Sequence, residues 1–173
     1  YLLSGAVAQQ VNLHLKAHPT FVSDALPKDV QETVEFLVGA DDLSVQALGT
    51  RLRHHLDEQR LLLSPSFFWN SPLDGWQMPV DLRDDLSAAD LVISKGDANY
   101  RRLLGDRHWP HDTPFADVVA YFPAPLVALR TLKSECVCGL PPGRSELVYE
   151  TDPEWMINGR WGLVQFVIPA QNK

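Results

Sequence analysis

Short apolar runs, helical periodicity and chain size together point to an α/β layer fold, with a mostly parallel central sheet and helices on both faces. Short continuous apolar runs, "DLVIS" at 90–94 and "PLVAL" at 125–129, have the length and β-branching of strands in a buried parallel sheet. Segments with apolar residues spaced three and four apart, the pattern of amphipathic helices, stand among the strands. The 173 residues, 45% hydrophobic and 21% charged, suffice for one soluble globular domain with a sizeable core. Strands alternating with helices close into layers rather than a bundle or sandwich.

Residues 13–15 (Leu-His-Leu) alternate like a short strand, and Phe21 and Val22 lead into Ser23 and Asp24, where the apolar pattern stops. Asp24 is thereby placed near a strand's end. Pro27 suits the first turn of a helix, and Val30, Val34, Leu37 and Val38 share one face of it before Gly39. Asp42 or Ser44 can cap a second helix with a Val45, Leu48, Leu52 and Leu56 stripe. His54 and His55 ride on that helix, diverging by about 100°, so they cannot ligate one metal together and read as surface or partly buried side chains. The stretch "SPSFFWNSPLDGWQMP" (64–79) reads as an irregular loop whose Phe67, Phe68, Trp69 and Trp76 cover the edge of the core.

A short helix follows around Asp81–Leu86. Leu91, Val92 and Ile93 then form a fully buried parallel strand, and "DANYRRLL" turns helical with Asp97 as a good N-cap and Leu103 and Leu104 in the core. Leu126 to Leu129 form the next strand, ending in Arg130, Thr131 and Lys133, and "WGLVQFVIP" supplies a final one.

Composition also excludes. The formal net charge is -7 with both signs interspersed, so no broad cationic face awaits nucleic acid or a membrane. Cys136 and Cys138, one residue apart, make a poor mutual disulfide and have no further Cys with which to build a thiolate zinc site. No stretch approaches the roughly 20 apolar residues of a membrane span. A reducing, cytoplasmic compartment is expected. The opening Tyr-Leu-Leu-Ser-Gly lacks an initiator Met, and Tyr1 is not expected to be the native start.

In open α/β sheets ligands collect at the carboxyl ends of strands. Three exits carry polar groups there: Ser23-Asp24, Lys95-Gly96-Asp97 with Asn99, and Arg130 to Lys133. Carboxylates can hold a divalent cation through oxygen while lysines neutralise an anion, and phosphate is the natural ligand of such a set. Gly96 lets backbone approach closely, and the N–H groups opening the helix at Asp97 add donors. A structural alternative stands beside this: Asp97 as a cap only, Asp24 as a turn residue, Arg130 and Lys133 as exposed strand-end charges.

At "DLVISKGDANYRRLLGDRHW" the sequence resembles the metal-dependent damage-control phosphatase family, formerly domain-of-unknown-function family 89, in its sugar-phosphate phosphatase branch. The likeness extends to "TFVSDA" around Asp24, to "FPAPLVALRTLKSE" with the branch's Arg-Thr-x-Lys signature at Arg130 to Lys133, and to "DPEWMINGRWGLVQF". The resemblance implies a divalent-metal phosphatase, with manganese, cobalt or nickel as cofactor and magnesium as a further candidate. It would act on small phosphorylated sugars such as fructose 1-phosphate and fructose 6-phosphate in metabolite damage control. It also implies roles: Asp24 as a metal ligand, Asp97, Asn99 and Arg101 in the substrate-contacting segment, and Lys133 on the substrate. The family's Asp-Asn pair, which supplies further metal ligands, is expected before Tyr1, as is its helical N-terminal domain. Residues 1–173 would then be the C-terminal α/β catalytic portion of a larger two-part protein.

On this reading Asp24 and the Asp-Asn pair hold the cation, and Lys95 and Lys133 stabilise developing charge, with direct hydrolysis preferred to a phosphoenzyme on Asp97. One alternative is carboxyl methyl transfer from S-adenosylmethionine, an activity also ascribed to the branch, although no GxGxxG turn is visible. Another is a non-catalytic fragment that keeps only the sugar-phosphate half-site.

Overall fold

The computed structural model describes residues 1–20 and 24–169 and divides into two compact units, Tyr1–Pro72 and Leu73–Lys173. The expected strand end at Phe21–Ser23 lies outside the described residues. None of the described helices is long and apolar enough to cross a membrane.

In the first unit a strand β1 (Val11–Lys16) is followed by helices α1 (Pro27–Val38) and α2 (Leu43–Asp57) and a strand β2 (Leu61–Ser66). The strands pair in parallel, from Val11 opposite Leu61 to Lys16 opposite Ser66. Pro27 opens α1 as predicted, and Asp29 accepts the Leu26 N–H at 2.8 Å, satisfying a donor the helix itself leaves orphaned. Asp42 caps α2 by accepting from the Ser44 and Val45 N–H groups at 2.8 and 3.2 Å. Gly49 lies where α2 meets the end of α1, and a Cβ there would stand 2.5 Å from the Val38 nitrogen.

Strand β2 corrects the expectation of a loop beginning at Ser64. Pro65 argued against a strand, but it pairs opposite Leu15 in a two-stranded sheet, where every strand has an open edge and a missing N–H costs little. The chain then turns through two short 3₁₀ segments, Phe67–Asn70 and Gly75–Gln77. Among the aromatics there, Phe68 is buried whereas Phe67 is 71% exposed.

The second unit runs α3 (Val80–Ser87), β3 (Val92–Lys95), α4 (Asp97–Leu104), α5 (Phe115–Val118), β4 (Leu126–Thr131), α6 (Arg144–Thr151) and β5 (Gly162–Val167). Its sheet has the order β3-β4-β5, with β3 parallel and β5 antiparallel to β4. Helix α4 packs on β3 and β4, and α5 on β5. Strand β3 is not buried on both faces as its apolar run suggested: Ile93 is 52% exposed, level with Val127 and Phe166 across the sheet. Beyond β4, Leu132, Val137, Leu140 and Trp155 form a small core that fixes the chain after the Arg-Thr-x-Lys motif.

Candidate active site

Strand β3 hands over to α4 through Gly96, whose φ of 106° lies in the region that favours glycine. Its N–H donates to the Leu129 carbonyl at 2.8 Å, tying the exit of β3 to β4. Asp97 is not the cap that its residue type suggested. Gly96 occupies that position, Asp97 is the first helical residue, and its carboxylate is engaged by Arg130 instead, with Nε donating to Oδ1 at 2.8 Å.

The expectation that Arg130 could be an exposed strand-end charge fails for the same reason. Alternation along β4 turns it inward, where its guanidinium lies 4.5 Å over the Tyr100 ring and donates to the carbonyls of Ser134 and Cys136. The Tyr100 hydroxyl donates to Gln165 Oε1, and Gln165 Nε2 donates to the Cys138 carbonyl, both at 2.8 Å. Burial above all, and then the neighbouring Cys138 sulfur, push the phenol above its ordinary range, so Tyr100 stays a neutral donor. Burial likewise raises the Cys138 thiol to about 11 and moves the Cys136 thiol upward. Both cysteines are free and buried, as inert packing residues are.

Asn99 turns back to donate from Nδ2 to the Lys95 carbonyl at 2.8 Å. Arg101 grips Asp106 through both oxygens, each at 2.6 Å, and these hydrogen bonds hold the Asp106 carboxyl below its usual range. The reversal that makes this pair runs through Gly105 and Asp106, both at positive φ. A Cβ on Gly105 would collide with the Trp76 ring. The side chains of Lys95 and Lys133 are exposed, and among the described residues neither has an ion-pair partner.

Asp24 belongs to the first unit, 2.5 Å from the Lys16 ammonium through Oδ2. Nearby, Asn70 fixes the turn leaving β1, accepting the Ala17 N–H at 2.9 Å and donating to the His18 carbonyl at 2.8 Å. A carboxylate suits a hard divalent cation, and Asp24 fits as one oxygen donor among several. Among the described residues no three His, Cys, Asp or Glu side chains gather around a common point. The Asp97–Asn99–Arg101 stretch shares the second unit with Lys133.

Two participants carry no clear mark in the sequence. Asp106 could have been flagged as an acid just past a helix-ending Gly, within reach of a last-turn Arg. Ser134 gives no signal at all, because only the fold of the 132–140 segment brings it under Arg130.

Residues 1–148 match the damage-control phosphatase ARMT1-like domain. The chain belongs to that family. It is 38% identical over 177 residues to the damage-control phosphatase ARMT1 of Danio rerio, an alignment that covers 100% of the chain and 40% of that relative. The Xenopus laevis protein of the same name is 38% identical over 168 residues, and the Homo sapiens one 33% identical over 170, each covered for 38% of its length. This ARMT1-like domain therefore spans about 40% of the length of the curated relatives it matches. The matched span contains all the predicted site residues, from Asp24 to Lys133.

Proposed function

We propose that this chain carries the substrate side of a metal-dependent phosphatase that hydrolyses small sugar phosphomonoesters such as fructose 1-phosphate and fructose 6-phosphate, acting in the cytoplasm in metabolite damage control. Relatives named damage-control phosphatases support the reaction class. The observation that carries the substrate class is the pairing of β3 and β4. It sets the exits of two parallel strands side by side, with Lys95, Gly96, Asp97 and Asn99 on one and Arg130 to Lys133 on the other.

In this reading the exposed ammonium groups of Lys95 and Lys133 attract the phosphate dianion and stabilise charge as the ester bond breaks. The backbone N–H groups at the start of α4 add donors at the same strand exit. Asp97 accepts from sugar hydroxyls, and Asn99 and Arg101 belong to the helix that Asp97 opens. A divalent cation, manganese, cobalt or nickel, would polarise a phosphoryl oxygen. Asp24 would hold it together with donors other than the described residues. Displacement of Lys16 from Asp24 would accompany metal loading.

The test is phosphate release from fructose 1-phosphate with manganese, using the protein at its full natural length. Asp24→Ala is expected to lower kcat by on the order of a hundredfold, and Lys133→Ala to raise KM more than it lowers kcat. Unchanged turnover in Asp24→Ala would refute the metal assignment. An unchanged KM in Lys133→Ala would refute the phosphate contact.

A further inference from the structure

We infer that Arg130 is a positioning residue rather than a substrate contact, and that with Ser134 it fixes Asp97 as an acceptor with one open oxygen. The inference rests on the reading of Asp97 as a sugar contact. The Arg130 side chain is 0% exposed. Its Nε–H goes to Asp97, one terminal nitrogen to the Cys136 carbonyl, and the other to the Ser134 carbonyl and Oγ at 2.8 and 2.7 Å. One face is taken by the Tyr100 ring, which Gln165 anchors in turn. With four of its five N–H groups engaged, one face stacked on a ring and its side chain buried, this guanidinium is out of reach of a phosphate.

Asp97 is the outlet of this network. Oδ1 accepts from Arg130 and from Ser134 Oγ, at 2.8 and 3.3 Å, while Oδ2 has no partner among the described residues and the side chain is 22% exposed. A carboxylate pinned in this way cannot turn its free oxygen elsewhere, and an ionised oxygen only accepts. It therefore favours esters that bring a hydroxyl donor beside the phosphate and gives nothing to an ester that has none. Ser134 and Arg130 set that preference without touching the ligand.

The experiment compares fructose 1-phosphate with p-nitrophenyl phosphate, which lacks a hydroxyl donor, in the manganese-loaded full-length protein. Ser134→Ala should raise KM for fructose 1-phosphate about tenfold and leave KM for p-nitrophenyl phosphate within about twofold. In the Asp97→Asn background the same change should have no further effect on either substrate. Arg130→Lys should show the same split between substrates, since an ammonium cannot reproduce the fork; if that variant fails to fold, the Ser134 cycle decides alone. Equal losses on both substrates, no change in KM, or a Ser134→Ala effect that persists beside Asp97→Asn would each overturn the positioning role. If Asp97→Asn itself left fructose 1-phosphate kinetics untouched, the sugar contact would fall and the positioning role with it.

Discussion

At His55 a titratable ring is buried with only part of its hydrogen bonding met: Nε2 lies 3.2 Å from Ser4 Oγ, and Nδ1 has no hydrogen-bond partner among the described residues. Burial first, then the positive Arg60, hold the imidazole below its ordinary value of 6.5. The sign of the linkage follows. Above that value both folded and unfolded chains carry a neutral ring; below it the unfolded chain takes up a proton that the folded one resists, so stability falls as pH drops. An NMR titration should place the His55 midpoint below 6.5, and His55→Gln should flatten the acid side of the stability profile. A midpoint at or above that value would show that burial is not the controlling influence. At the same scale, the Arg101–Asp106 and Arg130–Asp97 pairs differ in kind. The first is open to water on both sides, whereas the second has a fully buried Arg whose removal leaves a carboxylate unpaired.

Helix α2 depends on a residue that its own propensity disfavours. Ala in place of Gly49 would gain about 1 kcal/mol as a helix former, but its Cβ would meet backbone atoms of Leu37 and Val38 at 2.6 and 2.5 Å. Backbone cannot step aside as a side chain tip can, and overpacking of this kind costs about 1–3 kcal/mol. Gly49→Ala is therefore expected to lower the urea midpoint without altering the slope; a gain in stability would mean that α1 and α2 can separate freely. Elements with a strong local pattern are legible in the sequence: α1 from Pro27, α2 with its Asp42 cap, and α4 with Leu103 and Leu104 inward. Those without one are not. Strand β2 hides behind Pro65, and α6 has no buried residue and hence no apolar stripe to read.

Across the whole molecule, the ligand proposal predicts a linked gain in stability. At about 100 times its dissociation constant, a ligand that binds only the folded form adds about 2.7 kcal/mol. Fructose 1-phosphate with manganese should accordingly raise the melting temperature of the full-length protein, chelation should abolish the rise, and Asp24→Ala should blunt it. A rise that is indifferent to chelator would separate sugar phosphate binding from the cation. The α/β class, the parallel pairing of β3 and β4 implied by their apolar runs, and the exits of those two strands at which polar residues collect are legible in the sequence, because periodicity and turn chemistry are local properties. The resemblance at "SKGDANYRRLLGDRHW" placed the family that the comparison then showed. That Asp97 faces an arginine rather than capping its helix, that Arg130 is buried, and that Ser134 comes under Arg130 follow from how the sheet and the segment after β4 pack. Asp97 and Arg130 lie far apart in sequence and meet only because β3 and β4 pair side by side, and no local pattern encodes that this carboxylate will find that arginine.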